Sequence, residues 1–387
     1  MCAVEWKALS EIFEMRGGYT PSTKNKDFWE DGILPWFRME DIREKGNILS
    51  DSTLHITPTA VKKNGLFPQN SIILATSATI GEHALLTVPA LSNQRFTAFY
   101  PKEKYVDRVN CKFAYYVFYL IDEWCKNNIV QGGFASVDMT GLKKYLFPIP
   151  SLAKQQEIVS QLDTFTTLIF NLESELDMRR KQYEHYRNQL LDFEGVEGVE
   201  WKTLGDVCKF KYGYTAKADD NGSYRYIRIT DIDEYGRLYK DNAKYIGEFD
   251  DLDGYVLKKN DIVVARTGAT FGKTLIFEAD YPAVYASFLI KIDFKGILLN
   301  KYYWHFAQSK LYWMQANKLV GGGAQPQFNT GALSQVIVPI PSLTKQAEIV
   351  SKLDAFENLI QSLDQEIKLR QKQYEYYREK LLTFEKE

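Results

Sequence analysis

A long internal repeat constrains the fold of this chain more than any other feature of its sequence. Residues 148–194 align without a gap with residues 339–385 at an offset of 191, and 29 of the 47 aligned positions are identical. Because 191 is close to half of the 387 residues, the whole chain looks like two copies of one unit. A doubled unit presents two similar surfaces, which suits a ligand with two sites along it, such as DNA, better than a single catalytic pocket.

Each copy of the repeat carries the apolar spacing of a coiled coil. Apolar residues alternate at spacings of four and three over about five heptads, which predicts a helix roughly 60 Å long in each copy. Such a helix needs a partner in water, and the obvious partner is the other copy. One arginine in each seam either fixes the register or lays its stem along the seam with its head in solvent. The predicted seam residues are Leu162, Phe165, Ile169, Leu172 and Arg179, and Leu353, Phe356, Ile360, Leu363 and Arg370.

The segments before the helices match each other in short islands, such as Gly-Tyr-Thr at residues 18–20 and 213–215. Their β-branched and aromatic runs, separated by turn residues, predict mixed α/β modules. Each helix follows a Pro-Ile-Pro-Ser-Leu segment, in which Ser151 and Ser342 are the predicted N-caps. Strands are predicted at residues 71–76, 96–100, 224–229, 261–265, 274–277 and 287–292, and helices at residues 111–126 and 301–318.

The predicted fold class is α+β, with an internal pseudo-two-fold repeat. Modules are expected at residues 1–147 and 201–338, and long helices at residues 148–194 and 339–387. Residues 195–200, Gly-Val-Glu-Gly-Val-Glu, form the predicted linker.

Composition and motifs exclude several classes of protein. A net charge of −2 argues against a uniformly basic nucleic-acid binder, although it permits a local basic patch. The four cysteines are scattered and are interpreted as reduced thiols, and the four histidines lack metal-ligand spacing. No apolar run approaches the roughly 20 residues that span a bilayer, and the N-terminal stretch lacks the pattern of a secretory signal. We therefore expect a cytoplasmic protein without a membrane partner or a metal site.

A glycine-rich stretch at residues 266–274 resembles a phosphate-binding loop only in part. That loop requires four residues between its glycines, whereas three separate Gly268 from Gly272, and the following Thr-Leu-Ile-Phe is strand-like. We interpret the stretch as a turn between strands. The sequence also lacks an amino-methyltransferase motif, a nucleophile elbow, a zinc-protease motif and an ATPase loop, which argues against an enzyme.

Loops that combine glycine, hydroxyl, aromatic and basic residues are the predicted DNA contacts. Hydroxyl and backbone N–H groups can approach phosphates, arginine is the commonest reader of guanine, and glutamine can address an adenine edge. For each residue, an ordinary role in a surface turn or an ion pair is the alternative. The candidates are Tyr19, Thr20, Lys24, Arg38, Arg43, Arg95, Tyr214, Thr215, Lys217, Arg225, Arg228, Arg266, Thr270, Lys273, Gln325 and Gln327.

The order of module, helix, module and helix resembles the specificity subunit of Type I restriction–modification systems over essentially the full length. The residues that carry the resemblance are the Pro-Ile-Pro-Ser-Leu-x-Lys-Gln-x-Glu-Ile-Val-Ser-x-Leu-Asp-x-Phe blocks and the Gly-Gly-Tyr-Thr-Pro-Ser segment at residues 17–22. The second copy departs from the family pattern, with Tyr-Gly-Tyr-Thr-Ala at residues 212–216.

The resemblance implies a function for each part. Each module would be a target recognition domain that reads half of a bipartite DNA site, and the helices would form an antiparallel coiled coil that sets the spacer. Methyltransferase subunits, two in number and carrying S-adenosylmethionine, would dock on the chain and methylate adenine at N6. Restriction subunits that use ATP and magnesium would join through them. The chain itself would bind no cofactor and catalyse no reaction.

Three alternatives remain open at the level of sequence. One is a specificity-like subunit of a methyltransferase without restriction activity. Another is an autonomous DNA-binding coiled-coil scaffold. The third is an unrecognised enzyme that works in a cleft.

Overall fold

The computed structural model describes residues 4–130, 135–239, 241–249, 251–252, 254–320 and 327–384. The chain divides into two compact units, the first formed by Met1–Asn171 with Ile367–Glu387 and the second by Leu172–Glu366. Each unit contains one predicted module, the beginning of the long helix that follows it and the end of the other long helix. The predicted α+β class with duplicated modules is confirmed, and the exact domain boundaries stay a prediction.

The first module is built on a mixed sheet whose central strand, Ile72–Ala75, is buried along its whole length. The strand order of this sheet, within the described residues, is Phe13–Gly17, Phe96–Pro101, Ile72–Ala75, His83–Leu86 and Ile48–Leu49. A smaller sheet has the order His55–Ile56, Leu34–Phe37 and Leu91–Ser92. Antiparallel pairs join Glu5–Ala8 to Leu146–Ile149 and Ile129–Val130 to Ser136–Val137. The helices are Leu9–Ile12, Met39–Lys45, Cys111–Asn127 and Met139–Lys144, with 3₁₀ turns at Lys26–Phe28, Pro58–Ala60 and Glu103–Tyr105.

The second module repeats this arrangement. Its larger sheet, within the described residues, has the order Cys208–Tyr212, Leu289–Phe294, Asp261–Ala265 and Thr274–Phe277. The smaller sheet has the order Tyr245–Ile246, Tyr224–Ile227 and Ala283–Tyr285, and Glu200–Thr203 pairs with Ile337–Ile340. The helices are Leu204–Val207, Asn300–Phe306, Lys310–Val320 and Thr330–Ser334, with 3₁₀ turns at Ile229–Asp231 and Gly268–Thr270. The internal repeat therefore extends from the helices to the strand order of the modules.

The sequence-based elements agree with the structure except at one helix. The predicted strands are present with small shifts at their ends, and Asp261–Ala265 and Thr274–Phe277 match the prediction. The predicted continuous helix at residues 301–318 is wrong, because the chain forms separate helices at Asn300–Phe306 and Lys310–Val320. Ser309 interrupts the helix, since its hydroxyl accepts a hydrogen bond from the Tyr312 amide at 3.2 Å and caps the second segment.

The long helices begin directly after the predicted N-caps and are shorter than the segments expected at residues 148–194 and 339–387, whose first two residues belong to strands. The first long helix spans Leu152–Leu190 and the second long helix spans Leu343–Leu382. Ser151 Oγ accepts a hydrogen bond from the Lys154 amide at 3.3 Å, and Ser342 Oγ accepts the matching bond from Lys345 at 3.2 Å. The predicted N-caps are therefore confirmed.

The helices pair antiparallel within each unit. In the first unit, Phe165 stacks on Tyr377 with ring centroids 5.4 Å apart, and the earlier Ile158 shares a cluster with the later Leu382. In the second unit, Tyr186 stacks on Phe356 at the same distance. The predicted seam residues are all buried or half-buried.

The seam arginine of the first long helix bonds to its own helix. Arg179 donates to Glu175 at 2.7 Å and to Gln182 at 2.9 Å, and Arg370 donates to the equivalent Gln373 at 2.8 Å. For Arg179, this geometry favours a stem laid along the seam over a residue that fixes the register.

Each unit has a hydrophobic core that is continuous from the module to its helix segments. Burial of these apolar side chains stabilises the module and the helices together, at about 1.5–3 kcal/mol for each large side chain. The helix residues in these cores are Ile158, Leu162 and Leu382 in the first unit, and Tyr183, Ile349 and Leu353 in the second.

Candidate nucleic-acid interface

The candidate site of the second module lies where three neighbouring strands end. The strand Cys208–Tyr212 ends at Tyr212, Arg266 directly follows Asp261–Ala265, and Phe288 directly precedes Leu289–Phe294. The register places Ala265 opposite Leu289 and Tyr212 opposite Ile290, so these three side chains meet at one edge of the sheet.

Arg266 lies between two aromatic rings at this edge. Its guanidinium carbon is 5.1 Å from the centroid of the Tyr212 ring and 5.3 Å from that of Phe288. Its Nε donates to the Ser287 carbonyl at 3.1 Å. Within the described residues, no hydrogen bond or ion pair engages its terminal nitrogens. Tyr212 and Phe288 remain 41% and 50% exposed, so the three groups form an open, partly apolar surface with one positive charge.

The returning chain closes one side of this edge. Thr267 forms an antiparallel bridge with Gln327, and the Phe328 amide donates to the Arg266 carbonyl at 2.7 Å. The Tyr212 hydroxyl accepts from the Thr330 amide at 3.3 Å and lies 3.1 Å from its hydroxyl. Partial burial acts to raise the pKa of Tyr212, but the bonds to Thr330 and the charge of Arg266 outweigh it and lower that pKa.

The first module has the same edge with different side chains. Ala75 lies opposite Phe96, the Thr76 amide donates to the Arg95 carbonyl at 2.9 Å, and Ser77 bridges to Ser136. Arg95 is exposed, and its guanidinium has no hydrogen bond or ion pair within the described residues. Both modules therefore carry an arginine at the equivalent strand ends.

The glycine-rich stretch is a turn, as predicted from the sequence. Asp261–Ala265 and Thr274–Phe277 pair antiparallel, and Gly268–Thr270 forms the 3₁₀ turn between them. Gly268 has φ +69°, a left-handed conformation that favours glycine. Thr270 donates to the Thr267 carbonyl at 3.3 Å, and Lys273 is half-buried beside the next strand.

The glycine–tyrosine–threonine loops are close-packed. A Cβ atom at Gly18 would lie 2.2 Å from the Asn93 carbonyl oxygen, and one at Gly213 would lie 2.1 Å from that of Ala286. Glycine is thus required at both positions by the close approach of the opposite backbone. Thr20 and Thr215 follow these glycines and are exposed.

Both predicted loop tyrosines have structural roles. The Tyr19 hydroxyl donates to the Ala60 carbonyl at 3.0 Å and accepts from the Lys62 amide at 2.9 Å. The Tyr214 ring packs against Tyr255 with centroids 5.2 Å apart. These contacts hold the loops, so the exposed threonines are better placed for a ligand than the tyrosines. Lys24, Arg43 and Lys217 are exposed, and Gln327 is exposed at the bridge to Thr267.

Arg38 and Arg228 mark equivalent turns. The Arg38 amide donates to Asp41 at 2.7 Å, and the Arg228 amide donates to Asp231 at the same distance. The Arg228 side chain also donates to both Asp231 oxygens, at 3.1 and 2.7 Å. The Asp231 hydrogen bond, together with its charge, outweighs burial and raises the pKa of Arg228.

Arg225, one of the predicted DNA contacts, is buried inside the module. Arg225 is 8% exposed and donates to the Tyr281 hydroxyl at 2.7 Å and to the Tyr239 carbonyl. Its guanidinium thus holds two segments of the module together. Gln325 lies outside the described residues.

Buried polar residues of the helices, which the sequence analysis did not single out, join each module to its helix. Gln155 is fully buried; its Oε1 accepts from the Asn110 amide at 2.8 Å, and its Nε2 donates to the Arg108 and Pro150 carbonyls at 2.9 and 2.8 Å. Gln346 makes the equivalent bonds to Leu299, Ile297 and Pro341. Identity of the two glutamines between the copies was the available sequence signal.

An aspartate about two turns further along each helix makes a second junction. In the first unit, Asp163 accepts from Lys112 at 2.6 Å and from the Tyr116 hydroxyl at 2.7 Å. In the second unit, Asp354 accepts from Lys301 at 2.9 Å and lies 3.0 Å from His305 Nε2. The two junctions differ in that a histidine replaces a tyrosine.

Burial shifts the pKa of the histidine in the second junction. His305 is fully buried and its Nδ1 lies 2.9 Å from the Tyr183 hydroxyl. Burial lowers its pKa, more than Asp354 raises it, so the neutral ring donates from Nε2 to Asp354 and accepts from Tyr183. Burial acts to raise the pKa of Asp354, but the bonds from His305 and Lys301 outweigh it and lower that pKa.

The long helices keep apolar residues exposed at equivalent positions. Leu168 and Leu359 are related by the 191-residue offset, as are Met178 and Leu369, and all four are exposed. Exposed apolar residues therefore recur at matching positions of the two helices. Every helix in the described part of the chain is too short or too polar to span a bilayer, and the same residues contain no group of three His, Cys, Asp or Glu side chains placed to hold a metal ion.

Comparison with known proteins supports the duplicated architecture. The model of the Type I restriction modification DNA specificity domain matches residues 3–177 and again residues 196–369. The Type I restriction enzyme EcoprrI specificity subunit of Escherichia coli is 39% identical over 377 residues, covering 93% of this chain and 89% of that protein. The MjaIX specificity subunit of Methanocaldococcus jannaschii is 27% identical over 393 residues, covering 93% and 88%.

Solved structures show the same fold at low sequence identity. The Type I specificity subunit from M. genitalium matches with a TM-score of 0.58 at 14% identity, over 100% of this chain and 97% of that chain. A chain from a structure on complex assembly and conformational transition of the type I R-M system matches with a TM-score of 0.65 at 12% identity, over 99% and 98%.

Proposed function

Because the chain belongs to the family of Type I restriction–modification DNA specificity subunits, we propose that each module reads one half of a bipartite duplex target. The observation that carries this proposal is the strand-end site. Both modules bring an arginine to equivalent strand ends, beside exposed hydroxyl-bearing loops. Phosphate contacts from the loops would position a module, and side chains at the strand ends would read bases.

The helices act as the spacer in this proposal. Each begins on one module, with its glutamine and aspartate fixed to that module, and its antiparallel pairing gives it a defined register. A helix of 39 or 40 residues has a fixed length, so it sets the number of unread base pairs between the half-sites.

Methyltransferase subunits are the proposed protein partners. The exposed pairs Leu168 with Leu359 and Met178 with Leu369 give the chain the same apolar contact twice, which suits two copies of one partner. S-adenosylmethionine would bind to those partners, which would methylate adenine at N6. Restriction subunits that use ATP and magnesium would join through them. This chain would act in the cytoplasm as a non-catalytic subunit without a cofactor of its own.

The test is to co-express the chain with its neighbouring methyltransferase gene and map N6-methyladenine by long-read sequencing. We expect a split motif of two short specified parts around a fixed gap. Replacing residues 201–338 with the module of a relative should change one part only. A change in both parts would contradict the modular assignment.

The other outcomes separate the competing functions. Methylation by a complex without any restriction subunit would identify a methyltransferase-only system. Binding of a bipartite site by the purified chain alone, with no methyltransferase complex, would favour an autonomous scaffold.

A further inference from the structure

We propose that Arg266 reads a guanine in the half-site of the second module, and that Tyr212 and Phe288 pre-orient its guanidinium. This inference rests on the proposed function and assigns one base-reading residue within it. Nε is engaged with the Ser287 carbonyl at 3.1 Å, whereas the terminal nitrogens have no partner in the described part of the chain.

The remaining donors form the fork that fits guanine. With Nε bonded to Ser287, the two terminal nitrogens of the guanidinium remain available. They can donate one hydrogen bond each to O6 and N7 of a guanine in the major groove. A lysine at this position would present a single point charge and could not form the fork. The geometry therefore favours bidentate base recognition over general attraction to DNA.

The flanking rings favour a base over a phosphate. Tyr212 and Phe288 place apolar surface on the guanidinium and are about half exposed. The bond from the Thr330 amide to the Tyr212 hydroxyl holds one ring in place. Holding the arginine in one orientation reduces the entropy lost on binding, which benefits a directional contact more than a phosphate contact.

The first module supports the assignment, because it carries its arginine in the equivalent backbone-bonded pair but on the other strand. The Thr76 amide bonds to the Arg95 carbonyl at 2.9 Å, and the Arg266 amide makes the same bond to the Phe288 carbonyl at 3.0 Å. One module thus has threonine and arginine at this bonded pair, and the other has arginine and phenylalanine. Both retain one arginine at the pair, but on opposite strands, which would aim it at a different base.

The experiment uses the complex of the full chain with its methyltransferase. The genomic motif is first mapped for the wild type and for the variants Arg266→Ala and Arg266→Lys. Both variants should accept other bases at one guanine position of one half-site, with roughly a 10- to 100-fold loss of discrimination, while the other half-site is unchanged. The double variant Arg266→Thr with Phe288→Arg, which copies the first module, should shift the specified position within the same half-site.

A guanine analogue tests the contact directly. Duplexes that carry 7-deazaguanine at the identified position lack the N7 acceptor. The wild-type complex should methylate them about 10-fold more slowly than unmodified duplexes, whereas Arg266→Ala should not distinguish the two. Equal wild-type rates on both duplexes would overturn the assignment.

A matched control separates reading from folding. Arg378 also stacks against two tyrosines, with its guanidinium carbon 4.1 Å from the Tyr119 centroid and 5.1 Å from that of Tyr374, but it lies on the second long helix. Arg378→Ala should leave the motif unchanged. A uniform loss of methylation in Arg266→Ala that Arg266→Lys restores would show a phosphate contact and refute the proposal.

A wild-type complex that yields no bipartite motif would contradict the proposed function. A bipartite motif that all Arg266 variants preserve, or a motif without a responding guanine, would refute only the role of Arg266.

Discussion

Replacing Gln155 with alanine should destabilise the first unit much more than replacing an exposed glutamine would. The side chain is fully buried and makes three hydrogen bonds, one to the Asn110 amide and two to carbonyls. Each bond contributes about 1 kcal/mol net, and alanine removes all three from buried or part-buried backbone groups, so the free energy of unfolding should fall by about 3 kcal/mol. For a unit of this size, that corresponds to a decrease in Tm of roughly 6–12 °C.

Differential scanning calorimetry and amide hydrogen exchange would measure this effect. The control is Gln156→Ala, because Gln156 is exposed and its counterpart in the second copy is already Ala347. The Asn110 amide should lose protection in Gln155→Ala but not in the control. Equal Tm values for the two variants, or an unchanged Asn110 amide, would refute the reasoning.

Three further predictions concern the spacer, pH and backbone packing. Inserting one heptad into both helices should lengthen the gap of the methylation motif, and an unchanged gap would exclude a spacer role. Burial depresses the pKa of His305 in the folded state below its unfolded value of about 6.5. The neutral imidazole therefore contributes stability above the unfolded pKa, and this contribution is lost as the pH falls through the folded pKa. The free energy of unfolding measured with urea between pH 7 and 5 should therefore depend less on pH in His305→Gln. Gly18→Ala should destabilise the first unit in a thermal melt, because its Cβ atom would lie 2.2 Å from a backbone oxygen. A Cβ atom at Gly17 would meet nothing within 4 Å, so the control Gly17→Ala should lower the Tm much less.

The helices were predictable because their signal is local and repeated. The spacing of apolar residues sets which face is buried, and serine before the first turn sets the start, so Ser151 and Ser342 could be identified without tertiary information. The break at Ser309 was missed because the aromatic pattern continues across it, and only the hydrogen bond to Tyr312 reveals the cap.

The candidate site depends on strand register, and no local sequence pattern specifies which residues of two distant strands lie opposite each other. Arg266 was identifiable as an arginine at a strand end, but Phe288 becomes its neighbour only through the pairing of Ala265 with Leu289. Arg225 shows the converse case. It has the same residue type near a strand, yet its bonds to Tyr239 and Tyr281 bury it, and nothing in its spacing distinguishes it from a surface arginine.

The buried glutamine and aspartate junctions explain why the helices are more alike than the modules. Gln155 and Gln346 bind backbone groups, which differ little between modules, whereas Asp163 and Asp354 bind a lysine together with a tyrosine or a histidine. The start of each long helix therefore makes equivalent contacts with two modules of different sequence. Because each hydrophobic core extends from module to helix, we expect recombination within these segments, which are identical at 29 of 47 positions, to give a folded chain only when the new module preserves its contacts with the helix start.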